Sequence, residues 1–293
     1  MLGEIRGEVR FKEPLSFHTS LRIGGPADIF VVPQDVEDIR LALSYADREQ
    51  LPVDVVGGGN NLLVSDRGVR GVVLKLEGCL GRAEFNGEEA VAGAGVSLSA
   101  LIREAAALNL GGIEALVGVP ATIGGAVAMN AGTQDGAIGD FISAVYFLHA
   151  DGTMGEFKPG AGSFSYRMFN APTGSVLIGA RLQLHRRPMA DIQKDIKQRL
   201  KQKKATQPLA LASAGCVWKN PPGDAAGRLV EKVGLKGKRL NGAEISAKHA
   251  NFIVNRGGAS AADIRALMDM ARERVQSQFG ITLEPEIRMM GDV

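Results

Sequence analysis

The residues able to do chemistry fall in a few glycine-punctuated stretches. Gly118-Val-Pro-Ala-Thr-Ile-Gly-Gly-Ala-Val-Ala-Met-Asn-Ala-Gly132 carries almost no charge or bulk. Its Gly124-Gly125 pair lets the backbone approach a neighbour closely, because no Cβ intervenes. Pro120 fixes one turn and withholds a donor, and Thr122 and Asn130 are the only hydrogen-bonding side chains. Such a segment suits a flat, extended partner, such as a cofactor ring with its phosphates. It suits a tight connection between packed elements as well. Gly57, Gly58, Gly59, Asn60, Asn61 and Leu62 directly follow the strand-like Val53-Asp-Val-Val56. Backbone N–H groups gathered after a strand can hold a diphosphate, although a plain β-turn also fits. Leu62 stands where a dinucleotide fingerprint needs its last glycine.

Proton chemistry has its own candidates. Cys216 lies in Ala214-Gly-Cys-Val-Trp-Lys-Asn-Pro221. A thiol with its ordinary pKa near 8.5 is mostly protonated at neutral pH and can deliver that proton; a small buried cysteine acting as a hydrophobe is the other reading. Ser163-Phe-Ser-Tyr-Arg-Met168, if extended, puts Phe164, Tyr166 and Met168 on one face and Ser165 and Arg167 on the other. On the residues alone, Arg167 reads as a surface cation. Thr282-Leu-Glu-Pro-Glu-Ile-Arg-Met289 alternates cleanly, with Leu283, Pro285, Ile287 and Met289 inward and Glu284, Glu286 and Arg288 outward, as in an edge strand. The histidines at 18, 149, 185 and 249 are scattered and neither cysteine has ligand spacing, so no metal site is expected.

Elements must position these residues. The chain has 293 residues, which suits two or three lobes. A formal charge of +2 gives no sign of a nucleic-acid-binding surface. No apolar run approaches the roughly 20 residues of a membrane helix. The first residues lack a signal-peptide core, and two cysteines fit a reducing compartment, so a cytoplasmic protein is expected. Asp35 caps a helix through Val36, Ile39, Leu43 and Ala46. Strands are expected at 28–32, 53–56, 72–74, 90–92, 145–148, 176–178 and 251–255. A helix through Leu98, Leu101, Ile102 and Ala105 stops at Gly111-Gly112. Residues 186–204 form a basic helix with Ile192, Ile196 and Leu200 on one face. Asp224 caps a helix ending at Gly234, and Ser260 with Asp263 starts a longer one ending at Gly280. Alternating strands and helices argue for α+β.

Three motifs in order, Thr19-Ser-Leu-Arg-Ile-Gly-Gly-Pro-Ala27, Gly57-Gly-Gly-Asn-Asn-Leu-Leu63 and Gly118 to Gly132, resemble the UDP-N-acetylenolpyruvoylglucosamine reductases, the MurB family of flavoenzymes. Ala226 to Gly237, His249 to Asn255 and Leu283-Glu-Pro-Glu286 look like further family motifs. The resemblance implies a two-lobed FAD-binding domain of the vanillyl-alcohol-oxidase/PCMH type, residues 1–75 and 76–204. A C-terminal α/β substrate-binding domain, 205–293, is implied to follow. It further implies FAD contacts at Gly57, Gly58, Gly59, Asn60, Asn61, Leu62, Val119, Pro120, Ala121, Thr122, Gly124 and Gly125. Arg167, Cys216 and Glu286 take the family's catalytic positions, and Tyr166, Lys219, Asn220 and His249 its substrate contacts. The family commonly has serine at the places of Asn60 and Cys216. About 48 residues separate Arg167 from Cys216, too few for the longer branch's tyrosine-bearing loop. The implied reaction has NADPH reduce FAD and leave, after which UDP-N-acetylglucosamine enolpyruvate enters. Hydride passes from flavin N5 to C3, and Cys216 protonates C2 to give UDP-N-acetylmuramate. A monomer acting on small molecules follows, without nucleic-acid or membrane partners. Another PCMH-type flavin oxidase, or a non-catalytic flavin or nucleotide-sugar binder, remains the alternative.

Overall fold

A computed structural model describes residues 2–172 and 174–292. The chain opens with β1 (Glu8–Pro14) and β2 (Pro26–Val32). The Asp35 carboxylate then accepts from the Glu37 and Asp38 amides at 3.0 and 3.2 Å, satisfying first-turn donors that have no partner within a helix. This starts α1 (Val36–Arg48), which buries Ile39, Ala42 and Ala46. β3 (Val53–Val56), β4 (Leu62–Val64) and β5 (Val69–Lys75) follow. A four-stranded sheet runs β1-β2-β5-β3, with β3 and β5 parallel.

Next come β6 (Ala83–Asn86), β7 (Glu89–Gly93), α2 (Leu98–Ala107) and α3 (Ile123–Ala128). β8 (Ile142–His149), β9 (Met154–Phe157), the short pair β10 (Phe164–Ser165) and β11 (Met168–Phe169), β12 (Ser175–Gln183) and α4 (Met189–Thr206) continue the chain. Strands β9-β8-β12-β7-β6 make an antiparallel five-stranded sheet. The last third contributes β13 (Ala212–Cys216), α5 (Ala226–Lys232), β14 (Arg239–Leu240), β15 (Ala243–Ile245), β16 (Phe252–Asn255), α6 (Ala261–Phe279) and β17 (Arg288–Met290). There, β13-β16-β15-β14 form an antiparallel sheet, while β17 pairs in parallel with β4.

The chain divides into two compact units. The first takes Met1–Phe11, Ile29–Gly58 and Gly71–Lys203. It holds two apolar clusters, one around α1, Val31, Val72 and Leu74, the other around α2, Val145, Phe147 and Leu182. The second unit takes Lys12–Asp28, Gly59–Arg70 and Lys204–Val293, so two N-terminal segments join the expected 205–293 region. Its core gathers Trp218 and the inner side of α6: Ile264, Leu267, Met268, Ala271 and Val275. Ser260 and Asp263 close a capping box at the start of α6, and Gly280 ends it at φ +70°. Each fully buried aliphatic side chain contributes about 1.5–3 kcal/mol, against about 1 kcal/mol for a cap. Packing therefore holds this helix and the caps set its ends.

Several local expectations change. α2 ends at Ala107, well before Gly111, because Asn109 turns left-handed at φ +59°. The N-cap of α5 is Ala225, and the first-turn amide of Ala226 is taken by the Asn220 side chain at 3.0 Å, not by Asp224. The 282–289 stretch is not one strand: only Arg288–Met290 forms β17, and Pro285 is exposed while Leu283 and Ile287 are buried. Residues 163–169 fold back as a hairpin, not an extended run. In α4, Ile192 is buried and Ile196 packs on the second apolar cluster, while Leu200 stays partly exposed against Gly118.

Candidate active site

In the first unit Gly57, which starts one glycine-rich stretch, meets the other at Thr122. Thr122 Oγ1 accepts from the Gly125 amide at 3.4 Å and so starts α3. Residues 121–123 are fixed alongside 96–98: the Leu98 N–H donates to the Ala121 carbonyl at 2.9 Å, and the Ile123 N–H to the Val96 carbonyl at 2.8 Å. A Cβ on Gly57 would collide with Thr122 Oγ1, which explains glycine at the end of β3. Gly124 serves packing: its N–H donates to the Ala94 carbonyl at 2.9 Å, and a Cβ there would stand 2.9 Å from Ala94 Cβ. Beside Gly125, by contrast, a Cβ would meet only Thr122 Oγ1, at 3.5 Å. Val119 donates to the Leu116 carbonyl at 3.0 Å, closing the turn that leads into Pro120 and Ala121. Residues 119–125 carry no acidic side chain; the Val119, Ile123, Gly124 and Gly125 amides already have protein acceptors and Pro120 has none, so the donors offered are the Ala121 and Thr122 amides and the Thr122 hydroxyl. That donor set fits a flat ring with a diphosphate.

Lys75 is a residue that sequence reasoning missed. It closes β5 almost fully buried, donates to the Gly57 carbonyl at 2.7 Å and pairs with Glu77 at 2.8 Å. Its signal was a lysine ending the apolar run Val72-Val-Leu74, directly parallel to the strand that leads into the glycine loop.

Arg167 also belongs to the first unit. Strands β10 and β11 pair Phe164 with Phe169 and Ser165 with Met168, which leaves Tyr166 and Arg167 as a two-residue tip. Arg167 has φ +58°, a left-handed conformation that costs a non-glycine residue about 1–2 kcal/mol. Strain of this kind persists where surrounding structure enforces it. The Arg167 guanidinium sits 5.0 Å from the centroid of the half-exposed Tyr166 ring. The stem stacks through Phe164 and Phe169, with centroids 4.5 Å apart. Asn130, noted in the sequence as a hydrogen-bonding side chain but given no partner there, donates from Nδ2 to the Ser165 carbonyl at 2.8 Å.

The second unit carries Cys216 and Glu286. β13 pairs with β16 through Ser213↔Val254 and Cys216↔Phe252, with a bulge between them where Gly215 takes φ +78°. A bulge of this kind re-aims the following side chain. Cys216 is half-buried, whereas Cys79 is fully buried and its thiol is pushed up to about 11 by burial and by the nearby Asp35 charge. Beyond Cys216, the Asn251 side chain brackets Trp218. Its Oδ1 accepts the Trp218 N–H and its Nδ2 donates to the Trp218 carbonyl, both at 2.9 Å. On the other side, the Glu286 N–H donates to the Val217 carbonyl at 2.7 Å. The Glu286 carbonyl in turn accepts from Asn61 Nδ2 at 3.1 Å, and the Arg288 N–H donates to the Asn61 carbonyl at 2.9 Å. Asn61, Glu286 and the residue after Cys216 thus form one hydrogen-bonded set.

The remaining expected residues divide. Gly59 turns at φ +66° and its carbonyl accepts the Ser20 N–H at 3.0 Å; Ser20 Oγ donates to the Ser213 carbonyl at 2.7 Å. Asn60 is half-buried, and Leu62 opens β4. Lys219 Nζ pairs with Glu284 at 3.4 Å. Asn220 spends its Oδ1 on the start of α5. His249 Nδ1 accepts the Asn251 N–H at 3.2 Å, and its ring meets Phe252 edge-on. Burial, with the nearby Lys236 charge, holds His249 below the ordinary histidine range and therefore neutral. Among the described residues no group of three or more His, Cys, Asp and Glu is arranged to hold a metal ion, and no helix is long and apolar enough to cross a membrane.

Comparison with known proteins sharpens this geometry. Residues 27–158 match the FAD binding domain, and residues 207–290 match the UDP-N-acetylenolpyruvoylglucosamine reductase C-terminal domain. The class is therefore an FAD-binding domain joined to a reductase-type C-terminal domain. The chain belongs to the UDP-N-acetylenolpyruvoylglucosamine reductase family. It is 45% identical over 289 residues to the reductase of Anaeromyxobacter sp. (strain Fw109-5), covering 98% of this chain and 90% of that one. It is 42% identical to reductase 2 of Symbiobacterium thermophilum, covering 97% and 93%. The crystal structure of the Thermus caldophilus enzyme superposes with a TM-score of 0.83 at 36% identity, covering 98% of this chain and all of that one.

Proposed function

We propose that this chain reduces the enolpyruvyl group of UDP-N-acetylglucosamine enolpyruvate to the lactyl ether of UDP-N-acetylmuramate, with NADPH as reductant and FAD as bound cofactor. Residues 1–75 and 76–204 act as the FAD-binding lobes and 205–293 as the substrate domain. The groups that hold FAD are the backbone of Gly57 to Leu62, the 119–122 segment with the Thr122 hydroxyl, and Gly124 and Gly125, whose amides already have protein acceptors and whose part is the close approach a missing Cβ allows. When bound, FAD supplies hydride chemistry that no protein side chain can provide.

The chain's own residues supply charge and a proton. Arg167, at its strained hairpin tip, is the cation for charge that develops on the substrate carboxylate. Glu286 assists in stabilising that charge. Cys216 holds the proton delivered to the substrate carbon that the hydride does not reach, and the thiolate left behind is reprotonated from solvent. Tyr166, Lys219, Asn220 and His249 contribute substrate contacts, though Asn220 and His249 already have structural partners. The observation that carries the reading is the Glu286 N–H to Val217 carbonyl bond of 2.7 Å, which ties one proposed catalytic residue to the neighbour of another.

The test is the visible spectrum of the purified protein under anaerobic conditions. NADPH should bleach the flavin bands, and the enolpyruvyl sugar should restore them. Return with oxygen alone would point instead to an oxidase, and absence of flavin bands after incubation with FAD would overturn the cofactor assignment.

A further inference from the structure

We infer that Asn130 is a positioning residue that fixes where Arg167 stands; this rests on the function proposed above. Asn130 stands just past the C-cap Met129 of α3, the helix that Thr122 starts. It is buried, 7% exposed, and holds φ +40°. Glycine would adopt that backbone without strain, yet glycine has no side chain to bond with. The amide uses both of its ends. Nδ2 donates to the Ser165 carbonyl at 2.8 Å, and Oδ1 accepts from the Gly139 N–H at 3.0 Å. A carbonyl only accepts and a peptide N–H only donates, so this orientation of the amide is the one its neighbours allow.

The bond to Ser165 sits where it matters. Ser165 and Met168 form the last rung of the hairpin, and Arg167 is in the turn that rung closes. A two-stranded hairpin alone is at best marginally stable. Ring stacking of Phe164 on Phe169 fixes the first rung to the apolar cluster, and the Asn130 bond reaches the last. The fit is close: a Cβ on Gly139 would stand 2.8 Å from Asn130 Oδ1 and 2.7 Å from Phe164 Cγ. One amide therefore ties the Arg167 tip to the end of α3 and to the 138–140 turn.

Asn130→Asp keeps size, backbone preference and the acceptor for Gly139, but turns an oxygen toward the Ser165 carbonyl. In the FAD-loaded protein, bleaching by NADPH should proceed at the parent rate, while return of the flavin bands with the enolpyruvyl sugar should slow by roughly 10–100-fold, the scale of an ångström-level misplacement. Placed on Arg167→Ala, the same change should slow the return less than about twofold, because its target is already gone. Amide hydrogen exchange over residues 163–170, read without any ligand, should quicken while the rest of the unit is unchanged. Asn130→Gly, which relieves the backbone strain and deletes both bonds, should reproduce each result if the aspartate variant folds poorly. Unchanged exchange at 163–170, equal slowing of both half-reactions, or full additivity with Arg167→Ala would overturn the proposal. If the parent protein itself shows no sugar-dependent return, the function is wrong, and the exchange result still decides whether Asn130 holds the hairpin.

Discussion

Arg167 and Cys216 are held in opposite ways, each with the help of one asparagine. The Arg167 tip ends a two-rung hairpin with backbone strain at the arginine, and Asn130 ties only its last rung. Cys216 ends a strand with neighbours on both sides: β16 pairs with it, and residues 284–286 bond to Val217 and Lys219. There Asn251, 3% exposed, substitutes for a strand by satisfying both backbone groups of Trp218, itself fully buried. The cation is presented by an anchored projection and the acid by the framework of a core. Changes at the first should alter chemistry with little loss of stability. Changes around the second should do both, except at the thiol itself.

The thiol gives the largest expected effect. Cys216→Ala should leave NADPH bleaching of FAD unchanged and slow its sugar-dependent return by about 10²–10⁴-fold, the span of a lost general acid. Stopped-flow absorbance separates the two half-reactions, and an unchanged return would remove Cys216 from the mechanism. Asn251→Ala comes next. It strands the buried N–H and carbonyl of Trp218, each worth about 1–3 kcal/mol when left without a partner. A loss of about 2–5 kcal/mol in urea unfolding is expected, against about 1–2 kcal/mol for Asn130→Ala, whose freed groups are only part-buried. Equal losses would erase the contrast between projection and framework.

That contrast was only partly legible in the sequence. The ends of α6 were, because Ser260, Asp263 and Gly280 are local signals with local partners. The start of α1 at Asp35 was legible for the same reason. The hairpin was not. Tyr166-Arg167 has neither glycine nor asparagine to announce a turn, and what enforces it, Asn130, lies 35 residues before Ser165. The alternation of 282–289 misled because the segment changes partners midway. Glu284 and Glu286 bond to Lys219 and Val217, then Arg288 turns to Asn61 and β4. Burial follows those partners, so Pro285 and Met289 face out and Met290 faces in. The recruitment of 12–28 and 59–70 into the second unit rests wholly on such distant contacts. The cofactor residues were named from motif order, but the different tasks of Gly57, Gly124 and Gly125 appear only once their neighbours are known.

Gly57 offers a smaller test on the first unit's side. Gly57→Ala drives a methyl group into Thr122 Oγ1, so the cap of α3 or the end of β3 must move aside. Lys75 resists the second movement through its bond to the Gly57 carbonyl. FAD affinity, measured by fluorescence titration of the apoprotein, should weaken by about tenfold, the equivalent of one lost hydrogen bond near 1.4 kcal/mol. Gly125→Ala, whose Cβ would make only an ordinary contact with Thr122 Oγ1 at 3.5 Å, displaces no protein atom, so any loss of affinity there reports on the cofactor.

The smallest expected effect belongs to His249, at the edge of the Asn251 framework. Burial and the Lys236 charge lower its pKa in the folded protein, while in the unfolded chain it titrates near 6.5. Between the two values the unfolded state binds more protons, so stability rises with pH there and levels off above about 6.5. As pH falls through the folded value that contribution is lost. His249→Gln removes the titration. The difference in urea midpoint between parent and variant should be flat from about pH 7 upward and should shift against the parent as pH falls below about 6.5. Asp38 and Glu244, also held below their ordinary values, lose their contributions only at lower pH, so the window isolates the histidine. A difference that stays flat throughout would mean His249 is not held neutral by the packing around Asn251. The framework on the Cys216 side would then be looser than its hydrogen bonds imply.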